Sequence, residues 1–253
     1  MASMKKTLLE HTQSILERTD GDEVNSINDT TEATQIADII VQCYFDLVAN
    51  NTFPEHRELF KLTALADSER PNYLQLPDDV DNIETMFFWY NKSTTAEKDY
   101  QRVNWCDPID FIEIVHSPNS TATNVKTVLD FNGDTELLIY NDRMPSWFTS
   151  FDDKHIVCDS WLLTTDSTLQ SSKTKCWGSK IPTVTIADTT TFDIDADQNQ
   201  YLHNEALARV SYSHQKTVDP KAEQWSNRFG DMVEARKHRF PQNNVRSNFG
   251  RHR

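Results

Sequence analysis

Three acidic clusters and eight histidines are the side chains with which this chain would do metal or acid–base chemistry. Asp78, Asp79 and Asp81, then Asp152 and Asp153, then Asp193, Asp195 and Asp197 each place carboxylates close together. The last set opens like a calcium-binding loop, with acids at positions one, three and five. It departs at position six, Gln198, where the sharp turn needs Gly, and at position twelve, Asn204, where a bidentate Glu belongs. Solvated turns are the expected role of all three clusters. The histidines show no zinc spacing such as H-E-x-x-H, and no Ser sits in a G-x-S-x-G elbow. Walker and G-x-G-x-x-G loops are missing, in keeping with a total of five Gly. The sequence points away from catalysis, and neither a cofactor nor a metal is expected.

Contact chemistry is the alternative. Asn141-Asp142-Arg143-Met144-Pro145 runs into Trp147-Phe148-Thr149-Ser150-Phe151-Asp152-Asp153. One reading is a contact loop with exposed aromatics, in which Arg143, Trp147 and Phe151 meet another subunit or a partner. The other is a turn with Trp147 and Phe151 in a β core. Residues 168–174 read as a polar loop. The C-terminal run RFPQNNVRSNFGRHR carries positive charge, amides and two Phe, but no acid. Its apolar residues Phe240, Val245 and Phe249 alternate with Arg246, Arg251 and Arg253, and Asn248 lies among them. Segments of this make-up fold onto a partner; terminal disorder is the plainer reading.

Charge sorts the partners. The net charge is −14, and six cations follow the last acid, Glu234, leaving −14 − 6, or −20, on the rest. An acidic body does not grip nucleic acid through its phosphates; it would repel a duplex that passed by it. Cys43, Cys106, Cys158 and Cys176 are far apart and read as buried thiols in a reducing compartment. No signal peptide and no membrane span are expected.

The elements that must position these residues fall into two kinds. Residues 5–18 carry a helical stripe of Leu8, Leu9, Ile15 and Leu16. Asp29, with Glu32 three residues on, is expected to cap a second helix through Ala33, Ile36, Ile40, Tyr44 and Leu47. A third runs through Leu202, Ala206 and Val210. A fourth starts at Asp219-Pro220 and places Ala222, Trp225, Phe229, Met232 and Val233 on one face, before Pro241 stops it. Between them the period falls towards two. Strands are expected in 58–65, 73–77, 84–90, 155–163 and 183–186, with a short helix capped by Asp107. Val125 to Phe131 and Glu136 to Tyr140 flank Asn132-Gly133, a type I′ hairpin signal. The expected fold class is α+β: a four-helix bundle from the N- and C-terminal helices, an inserted central β domain and an extended C-terminal tail. The corresponding ranges are 1–52, 53–197, 198–240 and 241–253.

Several phrases resemble one protein family over nearly the whole chain: LLEHTQSIL, DEVNSINDTTEATQIADIIV, LIYNDRMPSWFTSFDDKHIVCDSW, STLQSSKTKCWG, LHNEALARV and DPKAEQWSNRFGDMVEARKHRF. They look like head-to-tail adaptor proteins of short-tailed bacteriophages, also called tail tubular protein A-like or connector proteins. The resemblance implies a virion protein forming a ring, commonly of twelve copies, between the portal protein and the tail nozzle protein. Double-stranded DNA would pass through without specific binding, and no membrane would be involved. It also implies a C-terminal arm that reaches into the portal, here Phe240, Val245, Arg246, Asn248, Phe249, Arg251 and Arg253. Arg143, Trp147, Phe151 and Trp225 are the candidates for ring or nozzle contacts. A DNA-binding packaging factor and a tail-associated hydrolase are the alternatives from other classes.

Overall fold

The computed structural model describes residues 5–50, 53–90, 99–131, 133, 135–215 and 220–237, with the backbone alone at 50, 197, 214, 215, 229 and 231–237. The chain divides into two units. Among the described residues, one joins 5–56 to 182–237, and the other holds 57–181.

The first unit is helical. α1 (Leu8–Arg18) opens with a full capping box: Thr7 Oγ1 accepts the Glu10 N–H, and Glu10 returns the bond to the Thr7 N–H. This satisfies two of the amide groups that a helix start leaves unpaired. α2 (Thr31–Asn50) is capped by Thr30, whose Oγ1 accepts the Ala33 N–H at 3.1 Å. The expected cap, Asp29, closes the preceding turn instead, accepting the N–H groups of Asn25 and Ser26. α4 (Ala196–Gln215; α3, Pro108–His116, belongs to the other unit) begins where the calcium-like acids lie. Gln198 reaches back to the Asp195 N–H at 2.7 Å, so the residue that spoils the cation loop helps start a helix. α5 (Pro220–Lys237) opens on the expected Pro; its expected cap, Asp219, lies outside the described residues. α2 packs on α1 and α4 over a core of Leu8, Ile15, Ile36, Ile40, Tyr44, Leu202, Ala206 and Val210. α5 packs on α4 and adds Ala222 to that core.

The second unit is built on strands. β1 (Arg57–Phe60), β2 (Thr63–Ala64), β3 (Tyr73–Gln75), β4 (Val80–Trp89), β5 (Tyr100–Trp105), β8 (Trp147–Thr149), β9 (His155–Cys158) and β10 (Thr174–Lys180) form one sheet in the order β1-β10-β4-β5-β8-β9-β3-β2. β6 (Val125–Leu129) and β7 (Glu136–Tyr140) form a separate hairpin. All pairings are antiparallel except β5 with β8. The two edge strands, β1 and β2, are separated by Lys61 and Leu62 alone. Three steps of chain span at most about 11 Å, so the sheet has to curl until its edges nearly meet. The face inside the curl is apolar: Cys176, Met86 and Val103 form one cross-strand row, with Phe148, Cys158, Ile156 and Leu74 further round, all buried.

The outside of the sheet is covered unevenly. Over β3, β9 and β8 lie the hairpin and α3 (Pro108–His116), which Asp107 caps as expected. The Tyr73 hydroxyl donates to Asp130 in the hairpin loop at 2.9 Å, and Phe131 sits edge-on to the Tyr73 ring. α3 packs on β7 and β8 with Phe111 and Val115 buried. Over β1, β10, β4 and β5 the outward residues Leu59, Trp177 and Tyr100 are exposed.

The expected four-helix bundle with an inserted β domain is therefore corrected. The chain is a mixed α+β protein with a large curled eight-stranded sheet and five α-helices among the described residues. Two causes stand out. β5, β8 and β10 are short or interrupted by polar residues, so their period-two signal is weak and the expected sheet is too small. The fourth helix has the stripe of an equal bundle member, whereas α5 lies along α4. Two smaller expectations also shift. Residues 183–186 form no strand, and the β6–β7 pairing ends at Leu129 opposite Glu136, a wider loop than a two-residue turn. Gly133 still takes the left-handed conformation, with φ 78°.

Candidate interface surfaces

Members of each acidic cluster are taken up in helix starts, turns and ion pairs. Asp79 pairs with Lys180 at 2.8 Å and Asp193 with Lys5 at 3.1 Å. Asp152 accepts the backbone N–H groups of Lys154 and His155 and the His155 ring nitrogen. Burial works against its ionisation, but these bonds prevail and hold the carboxyl below its ordinary value. Among the described residues, no group of three His, Cys, Asp or Glu side chains is placed to hold a metal ion. The four cysteines are free and buried, and burial pushes Cys43 and Cys176 up to about 12.

The segment carrying Arg143, Trp147 and Phe151 is pinned from beneath. Asp159 Oδ1 accepts the N–H groups of Ser146 at 2.9 Å and Trp147 at 3.0 Å. Burial raises the Asp159 carboxyl above its ordinary value, against the lowering effect of those N–H groups. Ser160 donates to the Met144 carbonyl at 2.9 Å. Above this anchor, Arg143 stacks on the Tyr140 ring at 3.8 Å and bonds Asp142 at 2.8 Å. Asn124 donates to the same carboxylate, and Asp142 is held below its usual range, chiefly by the Arg143 and Asn124 hydrogen bonds. The guanidinium plane is thus fixed by the ring and the carboxylate before it meets anything else.

Trp147 and Phe151 do not fill the β core; Phe148 does, with its ring against Trp105. Trp147 is 39% exposed and Phe151 36%. Strand alternation explains the exchange, because β8 turns Phe148 inward and Trp147 outward. The Phe151 ring meets Phe111 of α3 at 6.0 Å, which joins this segment to the helix. α3 carries an anomaly: Ile109, 73% exposed, and Ile112 project away from the Phe111 face. Around them are Asp107, Asp110 and Glu113, with no Lys or Arg from 106 to 124.

Trp225 belongs to the helical unit, exposed on α5 with Arg228 5.3 Å from its ring centre. The structure brings Arg143, Trp147 and Phe151 together in one unit and leaves Trp225 in the other. The arm residues Phe240, Val245, Arg246, Asn248, Phe249, Arg251 and Arg253 lie outside the described residues.

Sequence reasoning missed a further surface. On the outward face of β1-β10-β4-β5, Leu59 is paired with Trp177, Lys175 with Phe87 and Arg102, and Trp89 with Tyr100. The Lys175 ammonium lies 5.7 Å from the Tyr100 ring, on the same face. The available signal was the alternation Thr174-Lys175-Cys176-Trp177, with Thr and Cys inward and Lys and Trp outward.

No protein-family model matches the chain, and no curated protein matches it. Among the described residues no helix is long and apolar enough to cross a membrane.

Proposed function

We propose that this chain is a structural virion protein, the ring-shaped head-to-tail adaptor between the portal and the tail nozzle of a short-tailed bacteriophage. The observation that carries the reading is the set of family-like phrases spread from Leu8 to Phe240. Three physical features support it. The charge is divided, with −20 before the final six cations, so the body repels passing DNA while the end favours an acidic or carbonyl-rich partner. The Arg143–Phe151 segment offers a stacked cation and exposed aromatics on a rigid anchor, as contact surfaces do. The titratable clusters are engaged in caps, turns and ion pairs, leaving contact rather than reaction as their office. Assembly is the mechanism: heterologous contacts close a ring, DNA passes through it, and the C-terminal arm orders on the portal.

Removal of residues 241–253 tests the arm. The truncated protein is expected to keep its circular dichroism and melting temperature but to lose portal binding, read by co-sedimentation with purified portal and by electron microscopy of the mixture. Portal binding equal to that of the full chain would refute the arm's role. Strong DNA binding that collapses between low and high salt would favour a packaging factor instead.

A further inference from the structure

The second unit carries two exposed apolar surfaces of opposite charge, at different places on one fold. The first is the outer face of β1-β10-β4-β5, on which no described helix packs. Leu59, Trp177 and Tyr100 supply its exposed apolar area, with Phe87 half-buried among them, and Lys175 and Arg102 supply its charge. Nearby acids are engaged: Glu84 with Arg57 at 3.0 Å, Glu58 with Lys180 at 3.6 Å, and Asp99 with the Tyr90 hydroxyl at 3.3 Å. Among the described residues no carboxylate pairs with Lys175 or Arg102. The second is the outward side of α3, where Ile109 and Ile112 sit among Asp107, Asp110 and Glu113.

Each surface is costly to leave in water and each lacks what the other has. A sheet face four strands across spans about 19 Å. A nine-residue helix is about 13 Å long, so it fits across that face. The Ile side chains would meet Trp177 and Leu59, and the helix acids would meet Lys175 and Arg102. The two surfaces belong to the same unit and are covalently fixed apart, so each has to find its match on another copy. The geometry points to a self-association contact in which the aromatic, basic sheet face of one copy receives helix α3 of the next. Because the two sides differ, the contact is heterologous, and repeating it closes a ring or extends a filament. A helix on a sheet buries less than the roughly 800 Å² per partner of a standard stable pair. Single contacts are weak, and closure, which gives every copy two, stabilises the assembly. The inference deepens the adaptor reading and rests on it only for closure into a ring.

Nucleic acid is the other occupant that an aromatic, cationic sheet face could take. Two cations on a chain of net charge −14 favour a copy of the chain instead.

Charge reversal tests the contact in the full chain. One variant carries Arg102→Glu with Lys175→Glu, the other Asp110→Lys with Glu113→Lys. All four positions are exposed, and circular dichroism checks that both variants fold. Sedimentation velocity is expected to show the wild type assembling with concentration and each variant alone staying monomeric. An equal mixture should reassemble, because each reversed face finds its match on the other variant. A wild type that stays monomeric, variants that assemble like it, or a mixture that stays apart would each overturn the contact. So would a single-stranded oligonucleotide, followed by fluorescence anisotropy, that binds the wild type and not Arg102→Glu/Lys175→Glu while no self-association occurs. Portal binding reports on the adaptor reading separately: rings indifferent to these charges remove this contact and leave that reading standing.

Discussion

His11 on α1 and His203 on α4 face each other in the helical core with their Nδ1 atoms 3.2 Å apart. The partners fix the tautomers. His11 Nε2–H donates to Asn199 Oδ1 at 2.6 Å, so His11 Nδ1 accepts, and His203 Nδ1–H donates to it. His203 Nε2 is then left to accept from the Ser14 hydroxyl at 3.5 Å. This chain of bonds requires His11 to be neutral, since a proton on its Nδ1 would point at another N–H. Burial, and for His203 also the facing His11, lowers the two groups to about 4 and about 3. Lys6 lowers both further and Arg18 lowers His203, while Asn199 and Glu10 raise His11. In the unfolded chain both rings titrate near 6.5, so between that pH and about 4 the unfolded state binds more protons. The stability from this pair is complete above about pH 6.5 and falls as the pH drops through that window. A tenfold difference in proton affinity between folded and unfolded chain is worth about 1.4 kcal/mol, and the loss for the pair is roughly 3 kcal/mol or more by pH 4.5. Urea unfolding at pH 7.5 and 4.5 reads it. The double variant His11→Gln/His203→Gln should be less stable than wild type at pH 7.5 and show a shallower fall. Equal slopes for the two proteins would show that the pair does not set the acid response.

Strands β10 and β4 show what one residue does to an element. Their register slips between Trp177 and Gly178, a bulge that leaves Glu84 without an opposite number. A Cβ built on Gly178 would lie 2.0 Å from the Asn82 carbonyl oxygen and 3.1 Å from the Ile83 Cα, all backbone. Gly178→Ala is therefore expected to force the two strands apart, at a cost of about 1–3 kcal/mol, read as a lowered melting temperature. Trp177 fluorescence should shift with it, since the outward pairing with Leu59 depends on that register; an unchanged melting temperature would show that the strands give way easily. Gly178 is invisible in the sequence, where scarce glycine suggests that close backbone approaches are few. What is legible there has strong local causes. The α3 start follows from Asp107-Pro108, the α5 start from Pro220, and β3, β4, β6 and β7 from dense or alternating apolar residues. What is not legible depends on partners far along the chain. β8 is three residues long and pairs with β5 and β9; its exposed Trp147 and buried Phe148 become distinguishable only once that pairing exists. Thr30 displaces Asp29 as a cap because both side chains suit the position, and the preceding turn takes Asp29.

At the scale of the whole molecule, and among the described residues, the first unit is stitched from residues 5–56 and 182–237, while the second is one continuous run, 57–181. Each has its own apolar core. A continuous run with its own core has what independent folding requires, so a fragment of residues 57–181 is expected to fold alone, with cooperative unfolding and native tryptophan emission. The same division makes the acid response local. The histidine pair lies in the first unit. In the second, the depressed groups are the carboxyls of Asp67, Asp142 and Asp152, whose stabilising effect is lost only as the pH falls below their ordinary range. Five of the six tryptophans, Trp89, Trp105, Trp147, Trp161 and Trp177, report on the second unit, and Trp225 reports on the first. As pH is lowered from 7 towards 4, helical circular dichroism at 222 nm should decline before the tryptophan emission maximum moves. The midpoints should separate by an amount that His11→Gln/His203→Gln narrows. Coincident midpoints in wild type would mean that the two units unfold as one. In that case the protein would lose its helices and its sheet together in acid, rather than keeping the sheet surfaces intact after the helices yield.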